Sequence, residues 1–424
     1  MEDKRIQVST NLQLLVLCQL FYPELVSTGQ TLTELCEELV DMGLDIEVVC
    51  APPSIVNPRE KVPKYLEHKG ICIKRVWATN FPKLNFIGRV VNQITYAGSV
   101  FFYLLFDRTR RPILVLTNPP FLAFFCALLR KFKIGNPYIY LIFDVYPDTA
   151  INVGILKEKN FLSRLWELVN KVSFKYASKI IVIGRCMKDV IDSKVNKYGI
   201  DFKDKIQMIH MWSDDKIIRK IAKDKNPYIE KWNLKDKFVV LYSGNMGRFH
   251  DMETIMEVAK NNMASYKDIV FLFVGEGYKK SWMMEFAKKY NLTNCQFHPY
   301  VEKKDLGNML SCANIGLVSL SEGQEGLSVP SKTFGLMAAG IPVIGIMSPF
   351  SEIARIFVEE KCGIVVKTRD VEDLKNTIIT LYNDYESLEA MSENARKAID
   401  TKYNLCTAAK LYMEIIEEIN SKHF

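Results

Sequence analysis

Two hydrophobic periods alternate along the chain. In the first half, "LQLLVLC" (12–18), "DIEVVC" (45–50), "ICIKRVW" (71–77), "PILVLT" (112–117), "YIYLIFD" (138–144), "KIIVIG" (179–184) and "KIQMIH" (205–210) read as short, mostly buried strands. Between them lie helical patterns. In 28–42, Leu32, Leu35, Cys36 and Leu39 fall at i, i+3, i+4 and i+7, one face of a helix. Ser27 and Gln30 give that helix an S-x-x-Q capping box, and Gly43 suits its C-terminal cap. The second half starts the pattern afresh, with strands in "KFVVLYSG", "DIVFLFVG", "CQFHPY", "NIGLVSL", "IPVIGI" and "GIVV". Helices are expected at 251–262, 278–290 and 303–311, and almost throughout the last 50 residues.

Strand–helix alternation argues for parallel sheets covered by helices. Two such series of similar length predict two Rossmann-like, doubly wound α/β domains facing each other. The expected divisions are 1–212 and 213–404, with the join near "HMWSDDKIIRK" (210–220). In open α/β sheets ligands bind beyond the carboxyl ends of the strands, so the residues after each strand carry the interest.

Composition narrows the classes. The 424 residues are 48% hydrophobic and 25% charged, ordinary values for a chain with ample core. A net charge of +7 suits phosphate ligands or an anionic membrane and does not by itself indicate nucleic-acid binding. The ten cysteines show no CxxC spacing and sit mostly in apolar runs, which fits a reduced, cytosolic compartment. No metal site is visible. The five histidines are dispersed, and there is no Asp-x-Asp. The segment 86–106 is apolar but contains Arg89, Asn92 and Gln93, so it reads as a buried or surface-lying helix and not a span.

Four loops carry candidate chemistry. "EGLSVPSKTFGLMAAGIPVIGI" (325–346) brings Glu325, Ser328, Pro330, Ser331 and Lys332 to a helix start. Amides, hydroxyls and an ammonium there make a phosphate-binding arrangement, with a capped helix and a solvated lysine as the alternative. "YSGNMGRFHDMETI" (242–255) offers Gly244 and Gly247 for close backbone approach and Arg248 for charge, or simply a turn needing positive φ. "FVGEGYKK" (273–280) is a weaker version, and neither loop matches the dinucleotide fingerprint. Gly29, in the first turn of the 28–42 helix, is explained by backbone approach to a ligand or by a slack junction. In "YLIFDVYPDTAINVG" (140–154), either Asp144 or Asp148 could act as acid or base or orient a hydroxyl; turn chemistry beside Pro147 is the alternative.

Together these loops resemble the GT-B fold glycosyltransferases of family four, closest to bacterial enzymes of capsule, O-antigen and colanic-acid-type polysaccharide synthesis. The resemblance covers nearly the whole chain. It rests on "FYPELVSTGQTLTELCEELVDMG", "TNPPF", "DVYPDTAINVG", "YSGNMGRFHDMETI", "FVGEG" and "EGLSVPSKTFGLMAAGIPVI". It implies a nucleotide-sugar donor bound by the C-terminal domain and an acceptor against the N-terminal one. A C-terminal helix (405–424) would cross back onto the N-terminal domain. Retention of configuration is implied, with no metal and no separate cofactor. The donor-binding candidates are then Gly29, Gly244, Asn245, Arg248, Gly275, Ser328, Ser331, Lys332 and Thr333, and the catalytic candidates are Asp144 and Glu325. The chain departs from the family in three places. A ribose-binding Glu is expected where Gly335 stands, and Leu327 occupies the position eight residues earlier, so Glu325 takes the role of first acid. Asn245 and His250 stand near the usual Arg and Lys, and Asp144 near a usual His.

The expected activity is transfer from a UDP-sugar to a lipid-linked or oligosaccharide acceptor, such as a polyprenyl-diphosphate-linked sugar. The alternatives are a GT-B UDP-sugar 2-epimerase and a non-catalytic glycosyltransferase-like subunit, the latter suggested by Gly335. Lys61, Lys64, Lys69, Arg75, Lys83, Arg89, Arg108, Arg110 and Arg111 surround the apolar segment 85–106. They suit an anionic surface, which makes the inner face of the cell membrane a candidate place of work for a cytoplasmic protein. The other reading of that segment is a core helix with solvated flanks.

Overall fold

β-Branched and aromatic runs become strands, and the 3.6-period segments between them become helices. The computed structural model describes residues 12–24, 27–53, 62–81, 86–201, 204–248, 250–261 and 266–423. The first series is β1 (Gln13–Leu17), α1 (Ser27–Asp41), β2 (Asp45–Cys50), β3 (Tyr65–His68), β4 (Ile71–Arg75), α2 (Phe86–Phe106) and β5 (Ile113–Leu116). It continues with α3 (Leu122–Lys131), β6 (Tyr138–Ile142), α4 (Asp148–Asn152), α5 (Phe161–Tyr176), β7 (Lys179–Val182), α6 (Arg185–Lys197) and β8 (Ile206–Met208). The second series is α7 (Pro227–Lys231), β9 (Phe238–Ser243), α8 (Met252–Lys260), β10 (Ile269–Val274), α9 (Lys280–Lys289), β11 (Cys295–His298) and α10 (Leu306–Leu310). After it come β12 (Ile315–Ser319), α11 (Lys332–Ala338), β13 (Val343–Ile346), α12 (Glu352–Glu360), β14 (Gly363–Val366), α13 (Val371–Asn383), α14 (Tyr385–Thr401) and α15 (Leu405–His423).

The chain divides into two units, Met1–His210 with Leu405–Phe424, and Met211–Asn404. In the first, the sheet order is β3-β4-β2-β1-β5-β6-β7-β8, and every pair is parallel except β3–β4. In the second, the order is β11-β10-β9-β12-β13-β14, parallel throughout. Both sheets are doubly wound. Their switch points lie between β1 and β5 and between β9 and β12, where neighbouring strands send their connections to opposite faces.

Leu32, Leu35, Cys36 and Leu39 of α1 are fully buried, each leucine contributing about 1.5–3 kcal/mol. Gly43 follows with φ +96° and its amide bonds the Val40 carbonyl, ending the helix. The expected Ser27–Gln30 capping box falls partly outside the described residues. Gln30 Nε2 donates to Glu34 Oε1 at 3.0 Å, forward along the helix, and the Ser27 side chain lies outside the described residues. α15 packs on α1. All ten cysteines are free thiols.

Several of the basic residues named beside 85–106 have structural work instead. Arg75 is buried and donates to the carbonyls of Pro63 (2.9 Å) and Tyr22 (3.0 Å). Arg111 is buried and pairs with Glu47 at 2.7 Å, and Lys69 pairs with Glu37 at 2.8 Å. Lys61 and Lys83 lie outside the described residues.

Candidate active site

In the second unit the loops that follow β9 and β12 meet at the switch point. Ser319 Oγ, at the end of β12, accepts the Asp251 amide at 2.6 Å and ties the two loops together. Lys332, the first residue of α11, reaches across to β9. Its ammonium donates to the Tyr242 hydroxyl at 2.5 Å and sits 4.1 Å from the centre of that ring. The hydroxyl lies 3.0 Å from the Asn245 carbonyl oxygen and 3.0 Å from His250 Nδ1, which also accepts the Gly247 amide at 3.2 Å. An Nδ1 that accepts leaves the proton of the neutral ring on Nε2.

Burial dominates the electrostatics here. It pushes Lys332 down to about 7 from the usual lysine value. His250 falls well below the ordinary imidazole value, first through burial and then through the neighbouring Lys332 charge. Among the described residues no carboxylate pairs with Lys332. Among the described residues two buried polar atoms of this segment have no hydrogen-bond partner: Gln324 Nε2, on a side chain 1% exposed, and Thr333 Oγ1, on one fully buried. Unsatisfied buried groups of this kind cost about 1–3 kcal/mol each. The loop after β12 and the start of α11 therefore hold a cation with no carboxylate partner and two polar atoms with no hydrogen-bond partner among the described residues.

Ser331 does not cap the helix with its hydroxyl. α11 begins at Lys332, so Pro330 precedes the helix and Ser331 stands at the cap position. The carbonyls of Pro330 and Ser331 close the turn by accepting the amides of Thr333 and Phe334, each at 3.2 Å. Ser328 is half-buried upstream of the helix. Glu325 is half-buried in the turn between Gly323 (φ +79°) and Gly326 (φ +73°).

The glycines serve close approach, of backbone to backbone. A Cβ on Gly275 would stand 2.1 Å from the Gly244 carbonyl oxygen, and one on Gly277 would stand 2.5 Å from the Met246 amide. The end of β10 thus rests directly on the loop after β9. Gly244 has φ +130° and passes beside Lys332. Asn245 and Arg248 are exposed, and the Arg248 guanidinium stacks 3.7 Å above the Tyr278 ring centre. Gly335 faces Leu310 and Ile218, so a side chain there would meet an apolar wall.

In the first unit a crevice opens beside β6. It is lined by Thr117, Phe121, Asp144, Tyr146, Trp166 and Asn170 among others. Tyr146 stacks on Trp166 with ring centres 5.5 Å apart, and Asn170 Nδ2 holds the Tyr146 carbonyl at 2.6 Å. Burial pushes the Asp144 carboxyl up to about 6. The two aspartates of this segment separate cleanly. Asp148 pairs with Lys194 at 2.7 Å, and Lys194 also pairs with Glu167 at 2.7 Å. Asp148 is held in an ion-pair network, whereas Asp144 stands in the crevice. Gly29 lets the first turn of α1 rest on the preceding loop: a Cβ there would lie 3.2 Å from the Leu20 carbonyl oxygen and 3.3 Å from that of Glu24.

Tyr242 and the role of His250 escaped the sequence reading. The available signal was the strand alternation itself, which puts Tyr242 in the core row with Val240 at the carboxyl end of β9.

Comparison with known proteins agrees across both units. Residues 28–195 match the family profile "Glycosyl transferase 4-like domain", and residues 224–398 match "Glycosyl transferases group 1". WbjE of Pseudomonas aeruginosa, named as a probable glycosyltransferase, is 30% identical over 67% of this chain and 70% of its own. WcaI of Escherichia coli K12, named as a colanic acid biosynthesis glycosyl transferase, is 24% identical over 79% of this chain and 83% of its own. Among solved structures, HepE of Anabaena in complex with UDP-glucose superposes with a TM-score of 0.70 at 12% identity, over 96% of this chain and all of that one.

Proposed function

The chain belongs to the GT-B glycosyltransferases of family four, and from that premise we propose that it moves a sugar from a UDP-sugar donor to a lipid-linked acceptor, with retention, in bacterial surface polysaccharide biosynthesis. The reading of the pathway draws on the WcaI and WbjE relatives, and the choice of UDP on the UDP-glucose complex of HepE. The observation that carries the donor assignment is the half-buried Lys332 ammonium at the switch point, which lacks a carboxylate partner among the described residues. A diphosphate supplies that missing counter-charge. The sugar's bond to the phosphate breaks as its bond to the acceptor oxygen forms, and negative charge grows on the leaving diphosphate. A fixed ammonium aimed at that charge lowers the barrier more than it stabilises the ground state.

Tyr242 holds the ammonium in place, and Glu325 binds donor-sugar hydroxyls. On the acceptor side, Asp144 orients the incoming hydroxyl and draws its proton. Its carboxyl near 6 is ionised at neutral pH and still basic enough to help. Lys332 takes the place a divalent metal would fill, so activity is expected to survive chelation. The acceptor is a polyprenyl-diphosphate-linked sugar, which puts the enzyme at the inner face of the cell membrane.

A thermal-shift panel of nucleotide-sugars, followed by product analysis, tests the reading. One UDP-sugar should stabilise the protein and yield a glycoside when acceptor is added. An epimer formed without acceptor, or no response to any nucleoside diphosphate, would overturn it.

A further inference from the structure

One helical layer of the first unit has apolar residues on both of its faces. The crossovers from β4 to β5, β5 to β6 and β6 to β7 all step the same way across the sheet, whereas that from β1 to β2 steps back. Right-handed connections therefore lay α2, α3 and α5 on one face and α1 on the other. α2 packs on α3, and α3 on α5. Each turns a set of apolar side chains inward, such as Tyr96, Val100 and Leu104 of α2.

A surface helix normally shows solvent its charged face. Here the outer row of α2 is Ile87, Val90, Ile94, Phe102, Leu105 and Phe106, between 38% and 72% exposed. Gly98, with no atom near its Cβ position, leaves the row open in the middle. α5 adds Phe161, Leu162, Leu165 and Leu168, and the end of α3 adds Phe132 and Ile134, all exposed. On the opposite side of the same sheet, α1 and α15 expose one large apolar residue among the described ones, Leu411. No helix among the described residues is long and apolar enough to cross a membrane.

The exposed charges around these rows are positive with one exception. Exposed Arg108 and Arg110 follow α2, Lys131 and Lys133 flank Phe132, and Lys157 and Lys159 precede α5. Between residues 86 and 176 the exposed acid is Glu158 alone. A second copy of this chain would bring like charges together, which disfavours self-association through this face. An anionic lipid surface answers both features. Apolar side chains enter the acyl boundary while long basic side chains reach the phosphates.

We propose that the α2–α3–α5 layer seats the protein on an anionic membrane. α5 links that seat to chemistry: Trp166, Val169 and Asn170 on its inner side line the crevice that holds Asp144. An acceptor sugar carried on a lipid would reach that crevice without leaving the membrane surface. The purpose of the seat rests on the lipid-linked acceptor proposed above, but binding itself needs neither donor nor acceptor.

The test is co-sedimentation of the full chain with phosphatidylcholine vesicles, with and without phosphatidylglycerol, at low and high salt. The chain should pellet with the anionic vesicles and be released by salt. Leu165→Glu/Leu168→Glu, and separately Ile94→Glu/Phe102→Glu, should each lower partitioning about tenfold or more at unchanged Tm. A chain that stays in the supernatant with every vesicle, or variants that pellet like the parent, overturns the proposal. So does a vesicle-free dimer that the same substitutions dissociate. Nucleotide titration of the same preparation keeps the readings apart. A UDP-sugar response without pelleting removes the membrane seat alone, and pelleting without any nucleotide response removes the transfer reading alone.

Discussion

The loops after β9 and β12 hold a half-buried ammonium, Lys332, and the residues after β6 in the other sheet hold a half-buried carboxyl, Asp144. Burial acts on both and drives both toward neutrality: the lysine falls to about 7 and the aspartate rises to about 6. The surroundings differ. Lys332 donates to the Tyr242 hydroxyl, which lies beside His250 Nδ1, and Thr333 follows it in α11 with its hydroxyl unpartnered among the described residues. Asp144 sits among aromatic rings. One architecture thus provides two sites of opposite charge, one suited to a phosphate and one to a hydroxyl.

Lys332→Ala should break the comparison most severely. We expect kcat/KM for the donor to fall by about 100-fold or more, roughly 3 kcal/mol of transition-state stabilisation. The fold should not suffer. Because the folded-state value lies below the unfolded one, the unfolded chain binds more protons between about pH 7 and the ordinary lysine range, so the Lys332 contribution to stability rises with pH across that window. Thermal unfolding as a function of pH should lose this rising component in the variant. Unchanged kinetics would remove Lys332 from the site.

Asp144→Asn should lower kcat by about 100-fold, since the amide cannot take a proton. Here the folded value lies above the unfolded one. The native state binds more protons between the ordinary aspartate range and about pH 6, so stability falls as pH rises through that interval. The variant should therefore be at least as stable as the parent above pH 6 while losing activity. A pH–rate profile of the parent should rise through about 6. A flat profile would assign the proton to another group.

Tyr242→Phe tests the finer half of the comparison. Removing one hydrogen bond to a charged group should cost about 1–2 kcal/mol, seen as a roughly tenfold higher donor KM with kcat little changed. Without the hydroxyl the ammonium loses an acceptor, so donor affinity should fade at a lower pH than in the parent. A purely structural tyrosine would lower Tm and leave that pH dependence in place.

The sheet-forming runs and the buried row of α1 were legible because period 2 and period 3.6 are local properties. β3 escaped: "YLEH" is four residues, alternately exposed and half-buried, and it pairs antiparallel with β4 in an otherwise parallel sheet. The candidate loops were legible because catalytic and binding residues follow strand ends in this architecture. Their roles were less so. The sequence offers Gly275 as a donor-binding candidate; what the fold adds is that its missing side chain, like that of Gly277, makes room for the backbone of the β9 loop. Residue type and spacing left Asp144 and Asp148 equivalent and only the resemblance favoured Asp144; the fold separates them, because Lys194 from α6 pairs with Asp148.

From its residues alone this chain declares two doubly wound α/β units, the loops that carry chemistry and a resemblance to one enzyme family, because each of these is written in short-range spacing. The tertiary structure decided which lysine lacks a carboxylate partner among the described residues, which aspartate lies in the crevice where burial raises its proton affinity, and which helices turn apolar rows outward. The Lys332–Tyr242 contact spans 90 positions of sequence, and the displaced proton affinities arise from burial that no local pattern encodes. A side chain's type is a property of the chain, but its solvation and its partners are properties of the fold.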